Sequence, residues 1–197
     1  MIDARIEQHP LQPFLPINAK ILMLGSFPPP KNKWQMDFYY PNYQNDMWRI
    51  MGLIFFQNKN HFLNLEDKNF KRNDIEQFLI DQGIAIFDTA SAVIREKENA
   101  SDKFLTVVEP SNLFALLNKI PNCNTIMTTG DKATETLMHH FPDNTQKPTL
   151  NLSSQVNFAH RTLSLFRLPS SSRAYPLALE KKAAAYRIFF EKIGMLS

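Results

Sequence analysis

Between Phe38 and Trp48 the chain places Tyr39, Tyr40, Tyr43, Asn42 and Asn45 in one short stretch, just ahead of a helical pattern. Flat aromatic rings beside side-chain amides suit a pocket for a planar, hydrogen-bonding ligand. An amide such as Asn45 can hold a water or polarise a departing group, but it is too weak a base to deprotonate water. The same residues also fit a rigid loop whose rings cover a sheet, with Asn45 or Asp46 capping the helix that begins near Met47. Upstream, Lys20 to Gly25 reads as a short buried strand. The Ser26-Phe27-Pro28-Pro29-Pro30 segment after it can extend neither a strand nor a helix.

Elements able to hold these residues in place alternate along the chain. Strand patterns cover 20–25, 83–89, 124–130 and 161–168. Helical spacing of apolar residues covers 46–56, 73–82, 131–140 and 178–193, and Ser111 is placed to cap a further helix running to Lys119. This repetition predicts an α/β fold: a three-layer α/β/α sandwich with a short central, mainly parallel sheet. Such sheets bind ligands in the crevice outside the strand carboxyl ends. Those ends read Gly25-Ser26-Phe27-Pro28, Asp88-Thr89, Thr128-Thr129-Gly130-Asp131 and Leu168-Pro169-Ser170-Ser171-Ser172-Arg173. Glycines, hydroxyls, an acid and a base are therefore expected on one rim, although turn residues collect at strand ends in any such sheet.

Composition narrows the chemistry. The 197 residues, 44% of them hydrophobic, fit a single domain over 1–197 whose segment 1–19, punctuated by Pro10, Pro13 and Pro16, forms an extended arm. No apolar run is long enough to cross a bilayer and the first residues lack signal-peptide features, so a cytoplasmic protein without a membrane partner is expected. Cys123 is the only cysteine, which excludes an intramolecular disulfide and a multi-cysteine metal site. His9, His61, His139 and His140 have no partner at ligand spacing, so no metal is expected. Gly25 is followed by no dinucleotide or phosphate-loop pattern, and no organic cofactor is expected. A net charge of +3 permits contact with nucleic acid without requiring it. Lys181, Lys182, Arg187 and Lys192 read as a solvated helix face, and Arg95-Glu96-Lys97-Glu98 as a charged surface loop.

Four motifs in order resemble the uracil-DNA glycosylase superfamily, nearest to its branch of hypoxanthine-DNA and mismatch-specific uracil-DNA glycosylases. They are the strand ending in Gly25-Ser26-Phe27-Pro28, the Tyr39-Tyr40 pair leading through Asn45 to Trp48, the middle strands with Thr129-Gly130, and the late Leu168-Pro169-Ser170-Ser171-Ser172 loop. The likeness runs from about Lys20 to the last helix. It implies a monofunctional DNA-repair glycosylase, monomeric and without cofactor, whose partner is DNA carrying a deaminated base. The enzyme would flip hypoxanthine or uracil out of the helix and hydrolyse its N-glycosidic bond, leaving an abasic site. By position, Asn45 would be the catalytic candidate, Tyr40 the stacking platform, Phe27 an apolar wall with backbone amides, and Thr129 the residue at the base edge. Ser170, Ser171, Ser172 and Arg173 would hold the strand.

The chain departs from the family pattern at four positions. Phe27 stands where many relatives carry Asp or Asn, Thr129 where an asparagine often reads the base, Pro29 where glycine is frequent, and Arg173 where a small residue or proline is common. These departures leave room for a catalytically lapsed DNA- or nucleobase-binding module of the same fold. An unrelated α/β protein using the rim for a nucleotide-like ligand is a third reading.

Overall fold

The computed structural model describes residues 5–97 and 101–197. The chain runs from β1 (Ile6–Gln8) into β2 (Ile21–Gly25), then α1 (Met47–Phe56), the small hairpin β3 (Leu63–Asn64) and β4 (Asn69–Phe70), and α2 (Arg72–Gln82). It continues through β5 (Ile84–Asp88), β6 (Ala90–Arg95), β7 (Leu105–Pro110) and α3 (Leu113–Asn118) to β8 (Thr125–Thr129) and α4 (Asp131–Met138). A hairpin of β9 (Ser153–Phe158) and β10 (Arg161–Leu168) leads to the long helix α5 (Leu179–Lys192).

The main sheet has the order β5-β2-β8-β10-β9. The pairs β2·β5, β2·β8 and β8·β10 are parallel, and only β9 is antiparallel to its neighbour. β2, β5 and β8 are buried at every position, which is why Ile21–Leu24 and Ile84–Phe87 read as unbroken apolar runs, while β8 carries the buried threonines Thr125, Thr128 and Thr129. The predicted α/β/α layering follows from the crossovers. From β2 the chain steps outward to β5, then returns past β2 to β8 and onward to β10. Right-handed crossovers put α1 and α2 on one face and α3 and α4 on the other. Helix α5 joins the first face: Phe55 of α1 meets Phe78 of α2 at 4.9 Å and Phe190 of α5 at 5.1 Å. The chain thus leaves the neighbouring ends of β2 and β8 on opposite faces, which opens a crevice between them.

The sequence pattern did not reveal a second sheet, β1-β6-β7, which is antiparallel throughout. Its small core of Ala90, Val93 and Leu105 carries Phe27 on top. The N-terminal arm is therefore more than a wrapping. It contributes β1, and Phe14 exchanges backbone hydrogen bonds of 3.0 and 2.9 Å with Ile86 along the open edge of β5. That edge would otherwise present unpaired backbone groups.

Three expectations are corrected. Helix α3 is capped by Asn112, whose Oδ1 accepts from Ala115 N at 3.0 Å; the Ser111 hydroxyl instead donates to the Asp88 carbonyl at 2.7 Å. Arg95 ends a strand rather than lying in a surface loop, and it reaches Glu7 at 3.1 Å and the Pro28 carbonyl at 2.9 Å; Glu98 lies outside the described residues. Lys182 is not on a solvated face but fully buried. Among the described residues no helix is long and apolar enough to cross a membrane.

Lys182 explains how two long loops at the crevice are fixed. Its ammonium donates to Asp46 Oδ2 at 3.1 Å and to the Ser172 carbonyl at 2.8 Å, while Arg173 Nε reaches Asp46 Oδ1 at 3.3 Å. Asp46 N in turn donates to the Ser171 carbonyl at 2.9 Å. Two buried aromatics anchor the same loops. Trp48 Nε1 donates to the Tyr39 carbonyl at 3.1 Å, and the Tyr186 hydroxyl donates to the Pro169 carbonyl at 2.6 Å. Removing one partner of a buried ion pair strands the other charge. Lys182→Ala is therefore expected to lower stability by roughly 3 kcal/mol, the exposed Arg173 compensating only in part, as read from urea unfolding midpoints.

Candidate functional site

The crevice widens into a cleft of about 680 Å³ at the carboxyl ends of β2, β5, β8 and β10. Its floor is Gly25. A Cβ there would lie 2.5 Å from Asp88 Oδ1, 3.2 Å from the Tyr40 hydroxyl and 3.6 Å from Thr129 Oγ1. Only a residue without a side chain lets three polar groups from three segments converge on one spot. Gly130, at φ 101°, turns the chain from β8 into α4 beneath Ser170.

Tyr40 comes from the β2–α1 loop and takes φ 52°, a left-handed conformation uncommon for an aromatic residue. Its ring stands edge-on to Trp48 at 6.1 Å and its hydroxyl meets Thr129 Oγ1 at 3.1 Å. Burial, followed by the negative charge of Asp88, raises the Tyr40 pKa well above the ordinary phenol value, so the hydroxyl keeps its proton. Phe27 forms a wall, its ring against His9 at 5.3 Å and the Arg95 guanidinium 5.9 Å from its centre.

Asn45 lines the cleft, and Oδ1 accepts the Met47 N–H at 2.9 Å. It thus serves the start of α1 one residue earlier than an ordinary cap, while Asp46 makes no capping bond. No acceptor among the described residues takes the Asn45 Nδ2 protons. Ser170, Ser171, Ser172 and Arg173 form the opposite rim. Ser171 is buried, whereas Ser170 and Ser172 accept backbone N–H groups of their own loop at 3.2 Å and Arg173 is exposed. The structure thus brings every predicted site residue to one cleft.

Sequence reasoning gives no site role to three further groups. Asp88, at the end of β5, is expected from the sequence only as the acid of the strand-end rim. It is buried, and His9 Nε2 lies 2.7 Å from its Oδ2. His9, set aside as a loop histidine, is held through Nδ1 by the Leu11 backbone at about 3.0–3.1 Å. No signal in the linear chain joins residues 79 positions apart. The third group is Asp102, whose Oδ1 accepts from the Ser26 hydroxyl at 2.6 Å. Burial raises the Asp102 pKa, the Asp88 charge adds to this, and the Ser26 bond opposes it.

The fold and the cleft define an α/β/α sandwich with a ligand crevice at its topological switch point. Among solved structures the chain is similar to the solution NMR structure of a protein from Methanosarcina acetivorans provisionally assigned as a uracil DNA glycosylase. The two are 22% identical, with a TM-score of 0.57 over 93% of this chain and 98% of that one. This likeness is one of fold. No protein-family model matches the chain, and no curated protein does.

The raised Asp102 pKa has a consequence for stability. Where folding raises the pKa of an acid, the protonated form is favoured. The contribution is complete below the unfolded value and is lost as pH rises through the folded value. Asp102→Asn cannot ionise and still accepts from Ser26. Its stability relative to the parent chain is expected to increase between the ordinary aspartate pKa of 3.8 and neutral pH, as measured by urea unfolding across that range.

Proposed function

We propose that this chain is a DNA N-glycosylase of the uracil-DNA glycosylase superfamily, acting as a single-domain monomer on hypoxanthine or uracil in DNA. The observation that carries the reading is the cleft. It has room for an extruded nucleotide, its floor joins an aromatic hydroxyl to polar groups, and its rim carries Ser170, Ser172 and the exposed Arg173. The shared fold with the Methanosarcina acetivorans protein supports it.

In this reading the extruded base stacks on Tyr40 with Phe27 as a second apolar wall, and the Ser170–Arg173 loop presses on the phosphates of the displaced strand. The bond between the sugar C1′ and the base nitrogen breaks, and the base leaves with the electron pair. Water oxygen adds to C1′, and the proton that the water loses ends on the departed base anion, so the free base is neutral. Asn45 is not a base for that proton, because an amide oxygen is too weakly basic, and its Oδ1 is turned toward the Met47 N–H. Its Nδ2 protons can donate to the departing base or to a water, placing negative charge against a fixed dipole. This restricts Asn45 to stabilising and positioning.

The weakly basic Asn45 amide, together with Phe27 in place of an acid or amide, favours a second reading: a module of this fold that flips and binds a base without turnover.

Labelled oligonucleotides carrying uracil, hypoxanthine, xanthine or mismatched thymine, single- and double-stranded, decide between the two. Abasic product from the parent chain, reduced at least 100-fold in a folded Asn45→Ala variant, is expected for the glycosylase. Lesion-dependent binding without product identifies the module. In either case Tyr40→Ala should weaken lesion binding by about 1–3 kcal/mol, measured by fluorescence anisotropy.

A further inference from the structure

Hydrolysis in the scheme above takes a proton from water, and neither Asn45 nor Phe27 can receive it. Four carboxylates line the cleft: Asp88, Asp102, Asp131 and Glu135. Three of them are engaged. Asp88 Oδ2 lies 2.7 Å from His9 Nε2. On the outer rim Lys147 reaches Asp131 at 3.4 Å and Glu135 at 3.7 Å, and Arg167 reaches Asp131 at 3.3 Å. Asp102 forms no ion pair among the described residues.

The position of Asp102 is specific. It opens the short helical turn Asp102–Phe104 just before β7, and its Oδ1 accepts the Ser26 hydroxyl at 2.6 Å. Ser26 joins Gly25 of the cleft floor to Phe27 of the wall. The bond therefore ties the β6–β7 side of the molecule to the end of β2, and it holds a carboxylate beside the place where Phe27 brings none. No donor among the described residues bonds Oδ2, so one oxygen keeps its lone pairs for a water or a ligand.

Charged and titratable groups face Asp102 from four segments: Asp88 from β5, Lys132 from α4, Arg95 from β6 and Tyr40 from the β2–α1 loop. Arg95 bonds Glu7 and the Pro28 carbonyl, and Tyr40 stays protonated. Burial and the Asp88 charge make the carboxyl a stronger base than an ordinary aspartate, against the Ser26 bond and the charges of Lys132 and Arg95. At neutral pH this arrangement costs stability, which is the pattern of a group retained for its chemistry.

We propose that Asp102 is the proton acceptor of the hydrolysis: its Oδ2 takes a proton from the attacking water and returns it to the departed base. The inference rests on the glycosylase reading and adds the base which that reading lacks. As the bond between C1′ and the base nitrogen breaks, its electron pair leaves with the base. Water oxygen forms the new bond to C1′ while one of its protons moves to Asp102. That proton then passes to the base anion, so the carboxylate is restored and the free base is neutral.

The test follows single-turnover formation of abasic sites by the full chain on oligonucleotides carrying uracil or hypoxanthine. Rates are read from the ordinary aspartate value of 3.8 up to neutral pH, and affinity is read by anisotropy. The parent rate should rise with pH through the Asp102 pKa and then level. Asp102→Asn keeps the Ser26 bond but cannot take a proton. It should bind the lesion as the parent does, lose about 100-fold or more in rate at neutral pH, and show no such rise. Because its stability is expected to increase there, unfolding cannot account for the loss. Ser26→Ala removes a bond that lowers the Asp102 pKa, so the rise should move to higher pH.

An Asp102→Asn rate within a few-fold of the parent, or the same rise with pH in that variant, overturns the proposal and leaves the glycosylase reading intact. An unmoved rise in folded Ser26→Ala also overturns it. Absence of product from the parent chain on uracil, hypoxanthine, xanthine and mismatched thymine alike removes the glycosylase reading and the proposal together.

Discussion

The buried carboxylate of Asp46 is the constraint on which the cleft depends. It lies at the junction of α1 and the loop that precedes it, and it is held from the far end of the chain by Lys182, 136 positions away, and by Arg173. Two buried charges are costly to desolvate and are tolerated when geometry and hydrogen bonds satisfy both. Here the partners of Asp46 belong to the loop and helix that face it, so satisfying the charge fixes the distance between the two walls. The aromatic anchors Trp48 and Tyr186 act in the same sense, each spending its single polar group on a carbonyl of a cleft loop. The walls are thus set by polar bonds inside an apolar core rather than by apolar packing alone.

The floor is governed by a different rule. The parallel strands end at one level, and a side chain on Gly25 would occupy the space where Asp88, Tyr40 and Thr129 meet. Each group arrives from a separate element: Asp88 from β5, Thr129 from β8, and Tyr40 from a loop forced into a left-handed turn. Their convergence arises from the order of the strands, which puts β2 between β5 and β8. Specific chemistry on this fold is accordingly a property of the strand ends rather than of the sheet.

Much of the architecture was legible in the sequence because buried parallel strands are written as unbroken apolar runs. Ile21 to Leu24 and Ile84 to Phe87 fell where such runs put them, and Arg161 to Leu168 fell where an alternating pattern put it. The second sheet was not legible. β6 and β7 are short and β1 spans only three residues, so their pairing depends on partners elsewhere in the chain. Lys182 misled for a physical reason: a lysine among lysines on a helix usually faces water, and only the distant Asp46 makes its burial favourable. The rim of the site was anticipated because turn chemistry marks strand ends. The His9–Asp88 pair was not, because a contact over 79 positions leaves no trace in local pattern.

The N-terminal strap also bears on how the protein is made. The segment that supplies β1 and His9 leaves the ribosome before its partners in β5 and β6, which are synthesised some eighty residues later. Closing so large a loop has an entropic cost that is offset only once the receiving strands exist. These residues therefore cannot dock until β5 and β6 have been made, and the floor of the cleft acquires its His9–Asp88 hydrogen bond only then.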